Sequence, residues 1–236
     1  MHSIANRTVL ITGSNRGIGR ALVEEALRRD AGHVYAGTRV ALTHRDSRVT
    51  YLNLDVTDDA QIEAAAKTVE SLDVLINNAG LAASDDLGDR AVLEQHLAVN
   101  LFGSHAVTTA FLPQLIAAKG SIVNMLSVAA LAALPMIPAY SISKAAAFSL
   151  SQSQRALLAP QGVRVHAVLT GPTDTEMSRD LQVPKASPES VAQAIFDGVA
   201  AGDEEIFPDP MSATLAPNWA ASAVKSLERQ NAALLS

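Results

Sequence analysis

The sequence predicts an α/β fold, a doubly wound parallel sheet of about seven strands with helices on both faces. Short apolar or β-branched runs alternate with helical segments along the whole chain, and this alternation is typical of right-handed βαβ crossovers. The 236 residues suffice for one large α/β domain. No linker, repeat or low-complexity segment interrupts them, so residues 1–236 are predicted to form a single domain.

Four strands are predicted in the first half of the chain, where apolar and β-branched residues form short runs typical of buried parallel strands. These runs lie at residues 7–12, 33–37, 49–54 and 73–78. Apolar residues at helical spacing predict a helix over residues 18–29; they are Ile18, Leu22, Ala26 and Leu27. A second helix is predicted to begin near Asp58, because Gln61 follows it at the spacing of a capping box.

The second half of the chain repeats the alternation. Strands are predicted at residues 121–126, 163–169 and 204–207. A helical zone covers residues 89–119, and Pro113 is expected to kink it. Ser187 and Pro188 predict the start of a helix that ends near Gly202. Two further helices are predicted over residues 140–159 and 216–235.

Composition excludes several classes of function. The net charge is −6 and no run of Lys and Arg is present, so we expect no nucleic-acid partner. The chain has no cysteine, which excludes disulfides, thiolate metal sites and a cysteine nucleophile and fits a cytoplasmic location. None of the six histidines has metal-motif spacing, so we predict no metal site. We expect no membrane partner and no signal peptide: the N-terminus lacks the pattern, and two prolines interrupt the longest apolar stretch, residues 128–140.

A glycine-rich turn, TGSNRGIG, follows the first strand at residues 12–19. Its glycines, Gly13, Gly17 and Gly19, are spaced G-x-x-x-G-x-G, which differs from the general dinucleotide fingerprint G-x-G-x-x-G. A turn of this kind between a strand and a helix directs backbone N–H groups and the helix dipole at a pyrophosphate. The alternative is a glycine turn that binds nothing.

The end of the second predicted strand distinguishes between cofactors. NAD-binding folds usually carry an acid there for the ribose 2′-hydroxyl, but this chain has Thr38 followed by Arg39. A cation at this place suits the 2′-phosphate of NADPH, and Arg16 in the glycine turn could reach the same phosphate. The alternative is that both arginines are ordinary surface charges.

Tyr140 and Lys144 lie four residues apart on a predicted helix and therefore share one face. A nearby ammonium is expected to lower the pKa of a tyrosine, whose ordinary value is about 10. Ser127 ends the fifth predicted strand, at the edge of the sheet where α/β folds bind ligands. Its hydroxyl could hold a carbonyl oxygen beside the tyrosine hydroxyl.

Taken together, these segments resemble the short-chain dehydrogenase/reductase family, whose fold is Rossmann-like. TGSNRGIG matches the family's cofactor turn, NNAG at residues 77–80 its fourth-strand motif, and LDV at residues 54–56 its adenine-binding segment. The resemblance covers about residues 5–210. The residues that match the family's catalytic tetrad, in order and spacing, are Asn100, Ser127, Tyr140 and Lys144.

The resemblance implies a role for each member of the tetrad. Tyr140 exchanges the proton with the carbonyl or alcohol oxygen, Ser127 orients that oxygen, Lys144 binds the nicotinamide ribose, and Asn100 positions a water that links Lys144 to solvent. The residues expected to bind the cofactor are Gly13, Ser14, Asn15, Arg16, Gly17, Ile18, Gly19, Thr38, Arg39, Asp55, Val56, Asn78, Ala79, Gly80, Tyr140, Lys144, Gly171, Thr173 and Thr175.

The chain departs from the family pattern in three places. Only 15 residues separate Arg39 from Asp55, so a loop is expected there in place of the usual helix. Thr170–Gly171–Pro172 stands where the family usually has Pro-Gly. The segment between Thr175 and Pro188, which would cover the substrate, is short.

The sequence therefore favours an NADP(H)-dependent short-chain oxidoreductase that reduces a ketone or aldehyde to an alcohol, reversibly. The alternatives are an NAD-linked alcohol dehydrogenase and a regulator that senses NADPH without turnover. We expect a small hydrophobic substrate, because the predicted pocket segments are apolar. Helices at residues 100–118 and 144–159 are apolar on more than one face, which predicts a homo-oligomer, a tetramer or a dimer.

Overall fold

The computed structural model describes residues 3–235. Seven strands form one sheet in the order β3-β2-β1-β4-β5-β6-β7, and every neighbouring pair is parallel. This confirms the predicted doubly wound α/β sheet. The strands are β1 Thr8–Thr12, β2 His33–Thr38, β3 Val49–Asn53, β4 Val74–Asn77, β5 Ser121–Met125, β6 Arg164–Val168 and β7 Glu205–Ile206.

Helices connect successive strands, except between β2 and β3, where the described residues form the loop that the short spacing predicts. Ser187 caps the sixth helix through the amide of Ser190, and Gly202 ends that helix in the left-handed region at φ +83°, as predicted. The helices are α1 Gly17–Arg28, α2 Asp59–Thr68, α3 Arg90–Leu97, α4 Ser104–Ala118, α5 Pro138–Leu158, α6 Pro188–Ala201, α7 Pro210–Ala213, α8 Ala216–Ala220 and α9 Ala223–Ala232.

The two faces of the sheet are covered by separate groups of helices. Along β1, Val9 and Ile11 belong to the core beneath α1 and α6, whereas Leu10 belongs to the core beneath α2 and α4. This alternation follows from the two-residue repeat of a strand. The chain reverses its direction of winding between β1 and β4, and the crevice at that point, outside the carboxyl ends of the strands, is where such sheets bind ligands.

The long helical zone contains a π-helical turn that was not predicted. Residues Ala98–Gly103 form a π-helical turn between α3 and α4, whereas Pro113 lies inside α4 without ending it. A π turn inserts one residue into the hydrogen-bonding pattern and re-aims the side chains around it. Asn100 lies in this turn, so the irregularity falls on a predicted catalytic residue.

In the carboxyl-terminal segment, residues 210–235, the single helix predicted over residues 216–235 is divided into α8, α9 and a short 3₁₀ helix, and α7 precedes them. Pro210 and Pro217 lie at helix starts, and Asp209 and Ser222 cap α7 and α9, so local start signals divide the segment. Trp219 of α8 packs against Phe148 of α5, with ring centroids 5.5 Å apart. The segment is thereby attached to the helix that carries Tyr140 and Lys144.

The predicted capping box of α2 forms only in part. The Asp58 carboxylate accepts a hydrogen bond from the Gln61 amide at 3.1 Å, as an N-cap should. The Gln61 side chain does not return to the backbone of Asp58; its Oε1 accepts from the Asp55 amide at 2.9 Å. Gln61 therefore secures the segment that leaves β3 at Asp55, the predicted adenine-binding residue.

Candidate active site

The glycines of the first turn are required by close contacts. A Cβ atom on Gly13, whose φ is +66°, would lie 2.8 Å from Cα of Ala79. A Cβ atom on Gly19 would lie 2.2 Å from the carbonyl oxygen of Gly13. These two contacts bring β1, α1 and the end of β4 together, and any larger side chain would separate them.

The N-terminus of α1 has the features of a phosphate-binding site. Its N-cap residue, Arg16, makes no side-chain capping bond, and the first turn contains no acid. By contrast, α2, α3, α6 and α9 are each capped by an Asp or Ser side chain. An uncapped helix N-terminus beside a tight glycine turn offers backbone N–H groups to an anion, so these residues fit a dinucleotide.

Three polar side chains at this turn hold the backbone in place. Asn78 donates to the carbonyl oxygens of Thr12 and Gly13 at 2.9 and 3.0 Å, and the Thr12 hydroxyl accepts from the amides of Asn78 and Ala79. The Ser14 hydroxyl donates to the carbonyl oxygen of Gly37 at 3.2 Å. The side chains of Asn78 and Ser14, both predicted to bind cofactor, thus stabilise the turn itself. The Thr12 contribution was missed at the sequence level.

Thr38 and Arg39 lie at the carboxyl end of β2 and differ in exposure. Thr38 is buried, and its hydroxyl accepts from the Val40 amide at 3.3 Å. The Arg39 side chain is 75% exposed, with Nη1 3.7 Å from Oδ2 of Asp55. Partial burial favours the neutral carboxyl of Asp55, but hydrogen bonds from Thr57 and the charge of Arg39 outweigh it and hold its pKa below the usual value. Asp55 therefore stays ionised and attracts Arg39.

Arg16 joins the glycine turn to the segment after β6. Its guanidinium forms an ion pair with Glu176, and both side chains are exposed. A Cβ atom on Gly17 would lie 3.1 Å from Cγ2 of Thr175, so these two predicted cofactor residues are neighbours with no room for a side chain between them. Asn15 and Ile18 are half-buried. Val56 is buried against the π turn, where a Cβ atom on Gly103 would lie 2.7 Å from its Cγ2.

Ser127 and Tyr140 meet at the carboxyl end of β5. The Ser127 hydroxyl accepts from the Ala129 amide at 3.2 Å, and Tyr140 lies close enough to Ser127 for the two side chains to interact. Desolvation raises the pKa of Tyr140, and the interaction with Ser127 opposes that rise without cancelling it. This corrects the sequence-based expectation that Lys144 lowers the pKa of Tyr140. In this structure burial is the stronger effect, and Tyr140 is a protonated phenol at neutral pH.

Lys144 lies one turn further along α5. Its ammonium donates to the carbonyl oxygen of Met125 at 2.7 Å and is 5.7 Å from the centre of the Tyr140 ring. Desolvation lowers the pKa of Lys144 to about 8. Because Met125 ends β5, this bond fixes α5 on the strand that also presents Ser127.

Asn100 is buried, and its side chain forms hydrogen bonds with Leu81 and Ser143. It accepts from the Leu81 amide at 2.8 Å, donates to the Leu81 carbonyl at 2.9 Å and donates to the Ser143 hydroxyl at 2.8 Å. A Cβ atom on Gly80 would lie 3.4 Å from the Asn100 Oδ1 and 3.7 Å from the Lys144 ammonium. Gly80 therefore separates the two side chains, and the water relay through Asn100 stays a prediction.

The segment after β6 is positioned by Asp209, a residue that sequence reasoning missed. Its buried carboxylate accepts from the Gly171 amide at 2.7 Å, and a Cβ atom on Gly171 would lie 2.5 Å from Oδ1. Thr170, which replaces the family's usual proline, donates to the carbonyl oxygen of Leu126 at 3.0 Å. Thr173 is buried. The Asp209-Pro210 pair signals a helix start in the sequence, but its partner is 38 residues away.

Comparisons with known proteins agree with this geometry. The model of the short chain dehydrogenase family matches residues 7–185. "Short-chain dehydrogenase PC-15" of Penicillium crustosum is 42% identical over a match that covers 72% of this chain and 66% of that protein. The chain thus aligns with slightly less than two thirds of that relative's length. "Short-chain dehydrogenase/reductase GME11361" of Pestalotiopsis microspora is 33% identical over 98% of this chain and 84% of its own.

A solved structure extends the likeness over nearly the whole fold. The short chain dehydrogenase of Burkholderia cenocepacia in complex with NADP superposes with a TM-score of 0.89 at 35% identity, covering 97% of this chain and 98% of that one. The family model alone covers more than half of the sequence. The chain therefore belongs to the short-chain dehydrogenase family.

Proposed function

We propose that the protein is an NADP(H)-dependent oxidoreductase that interconverts a hydrophobic ketone or aldehyde and the corresponding alcohol. The observation that carries this proposal is the placement of Ser127, Tyr140 and Lys144 together at the carboxyl edge of β5, with the Lys144 ammonium 5.7 Å from the Tyr140 ring and Tyr140 protonated at neutral pH. A protonated phenol is the form that can donate a proton to a carbonyl oxygen. Binding of a cofactor without turnover would not require this arrangement.

Each residue of the site has its own role in the proposed reaction. Ser127 holds the substrate oxygen beside the hydroxyl of Tyr140, which gives its proton to that oxygen in reduction and takes it back in oxidation. The glycine turn and the N-terminus of α1 would hold the pyrophosphate, and the Lys144 ammonium the nicotinamide ribose. When bound, the nicotinamide supplies or accepts the hydride.

Preference for NADP(H) is supported by the charges around the adenosine end. Thr38 leaves β2 without the acid that would accept from a ribose hydroxyl, and Arg16 and Arg39 are exposed cations in the turns that follow β1 and β2. The Burkholderia cenocepacia protein was solved with NADP. Arg39 pairs with Asp55, and Arg16 pairs with Glu176. A bound 2′-phosphate, which is a dianion, would take the place of a carboxylate partner at each arginine.

A hydrophobic substrate is supported by the connections at the carboxyl edge of β4 to β7. Residues 128–137, which lead from Ser127 to the helix of Tyr140, contain no charged residue. Large exposed apolar side chains are concentrated in these connections. In the connections that follow β1, β2 and β3, Val40 is the one large exposed apolar residue among those described. The apolar residues are Leu87, Leu134, Met136, Met177, Leu181, Val183, Met211 and Leu215.

Replacement of Tyr140 by phenylalanine tests the proposed function. Tyr140→Phe removes the proton donor and keeps the ring, so we expect kcat for NADPH-dependent reduction to fall at least about hundredfold. Affinity for NADPH should stay nearly unchanged. The measurement is the loss of NADPH absorbance with a panel of ketones and aldehydes that differ in apolar size.

Tyr51→Phe is the matched control, because Tyr51 lies on the edge strand β3 and its hydroxyl donates to the nearby Asn53 at 3.2 Å, its one hydrogen bond within residues 3–235. This variant should retain wild-type kcat. Retention of more than a tenth of the activity by Tyr140→Phe would exclude Tyr140 as the proton donor. A wild type that binds NADPH and reduces none of the panel would favour the sensing regulator.

A further inference from the structure

Helix α5 begins without a capping residue of its own. Its N-cap, Ile137, has no side-chain acceptor, and the first helical residue is Pro138, which lacks an N–H group. The amide of Ala139 is therefore the first donor of the helix that needs a partner. Tyr140 follows directly, so the order of this turn determines where the catalytic hydroxyl lies.

The missing cap is supplied by Asp85 from the β4–α3 connection. Its Oδ1 and Oδ2 atoms lie 3.3 and 3.2 Å from the Ala139 amide, and Oδ1 also accepts from the Leu87 amide at 3.1 Å. Asp85 and Ala139 are separated by 54 positions in sequence, whereas α2, α3, α6 and α9 are capped by the residue that directly precedes them.

The connection that carries Asp85 is itself held in place. Asn100 bonds both the amide and the carbonyl of Leu81, and Nε2 of His96 accepts from the Ala83 amide at 3.1 Å. The same Asn100 side chain also reaches Ser143 on α5. The first turns of α5 are thus tied to this connection twice, at Ala139 and at Ser143.

We propose that Asp85 is a positioning residue for the reaction: its carboxylate orders the first turn of α5 and so sets the Tyr140 hydroxyl against Ser127. The inference rests on the proposed function of Tyr140. A carboxylate at a helix N-terminus satisfies orphan N–H groups and interacts favourably with the helix dipole. Without it the first turn frays, and displacement of a reacting group by about 1 Å can cost about a hundredfold in rate.

Lys144 should be much less affected than Tyr140. It lies a full turn further along the helix, and its ammonium is fixed by the Met125 carbonyl independently of Asp85. Loss of Asp85 is therefore expected to lower kcat while leaving the binding of NADPH unchanged. A residue that merely stabilised the fold would not separate these two quantities.

The test compares three variants. Asp85→Ala should lower kcat at least tenfold, with the dissociation constant of NADPH and the KM of the carbonyl within about threefold of wild type. Asp85→Asn retains an oxygen that can accept from Ala139 and should recover most of the activity. Asp86→Ala is the matched control, because Asp86 is an adjacent acid whose carboxylate, among the described residues, bonds within its own loop to the Gly88 amide at 2.9 Å and not to α5.

Amide hydrogen exchange at Ala139 and Tyr140 provides a readout without turnover. Exchange there should accelerate in Asp85→Ala and stay at the wild-type rate in Asp86→Ala. Wild-type kcat in Asp85→Ala, failure of Asp85→Asn to recover, or unchanged exchange would each overturn the proposal. If the wild type proves inactive on every carbonyl, the proposed function fails, and hydrogen exchange alone still decides whether Asp85 orders this turn.

Discussion

Tyr140 and Lys144 occupy surroundings that disfavour the charged form of both side chains. Desolvation raises the pKa of Tyr140 and lowers that of Lys144 to about 8. Reduction requires the phenol and oxidation the phenolate. We therefore expect reduction to lose no activity between pH 6 and 8, and oxidation to accelerate as the pH rises above that range.

The buried ammonium of Lys144 should lower the stability of the wild type. In the folded state its pKa is about 8, against an ordinary value of 10.5. The unfolded chain therefore holds the proton more tightly, and stability should rise as the pH increases from about 8 to about 10.5. Below pH 8 the full difference corresponds to about 3 kcal/mol, which the bond to Met125 partly offsets.

Lys144→Met tests this balance. The variant should lose catalytic activity and yet be more stable to urea than wild type at pH 7, by about 1–2 kcal/mol. Because wild type gains stability between pH 8 and 10.5 and the variant does not, this advantage should disappear within that range and be reversed near pH 10.5. Lys67→Met, at an exposed lysine of α2, should show neither change. If Lys144→Met were less stable than wild type at pH 7, the favourable contacts of the ammonium would outweigh the cost of burying it.

Cofactor preference depends on two further residues, Arg16 and Arg39. Wild type should favour NADPH over NADH at least tenfold in kcat/KM, or about 1.4 kcal/mol. The expectation is kept modest because both arginines are exposed and already paired. In the double variant Arg16→Ala/Arg39→Ala the preference should largely disappear through a higher KM for NADPH, with kcat for NADH little changed.

Steady-state kinetics with both cofactors and one carbonyl substrate provides the measurement. Arg90→Ala, at an arginine of α3 that is 88% exposed, is the control and should keep the wild-type preference. Equal use of NADH and NADPH by the wild type would show that Arg16 and Arg39 are ordinary surface charges.

At the scale of elements, β4, β5, α4 and α5 are joined by a buried polar network. Asn77 donates to Thr108 and Asn124, each at 2.9 Å, and Asn124 donates to Ser151 and Gln154 at 2.9 and 3.0 Å. Removal of one member leaves buried partners without their hydrogen bonds, which is more costly than the loss of a bond in water.

Asn124→Ala should therefore destabilise the fold by about 2–4 kcal/mol, measured by urea unfolding. Asn53→Ala, at an exposed position on the edge strand β3, should change stability by less than about 0.5 kcal/mol. An equal effect of the two substitutions would show that the network contributes nothing beyond ordinary burial.

The sequence predicts the strands and helix caps more clearly than it predicts the hydrogen bonds that join one element to another. The six longer strands and the caps at Asp58 and Ser187 could be predicted, because apolar runs and capping residues are local signals. The bonds from Asp85 to α5 and from Asp209 to Gly171 join residues far apart in sequence, so no local pattern reveals them. The π turn was missed for a related reason, since it preserves helical spacing on both sides.

At the scale of the whole molecule, the helices around Asn100 present an apolar surface. Residues Arg90–Ala118 are continuously helical, and the most apolar 18-residue window within them has a mean hydropathy of 1.2 and is only 28% buried. By length and composition alone this stretch could cross a membrane. One face packs on the sheet through Val107, Phe111 and Leu115. Phe102 and, on α5, Leu157 are about 60% exposed.

We propose that a second copy of the chain covers this surface, giving a dimer or a tetramer. Light scattering at micromolar concentration should give a mass at least twice the 24.7 kDa of the chain. Phe102→Asp/Leu157→Asp should lower that mass, whereas Val40→Asp, at a comparably exposed apolar residue after β2, should not. A monomeric wild type would refute the proposal.

The contact between Trp219 and Phe148 also gives the protein an intrinsic fluorescence probe. Trp219 is the single tryptophan of the chain, so all indole fluorescence comes from one ring, which lies against the helix of Tyr140 and Lys144. Any lifting of the carboxyl-terminal segment would bring that ring into water and shift its emission to longer wavelength. Stopped-flow fluorescence can therefore time the movement of this segment against turnover without a label being attached to the protein.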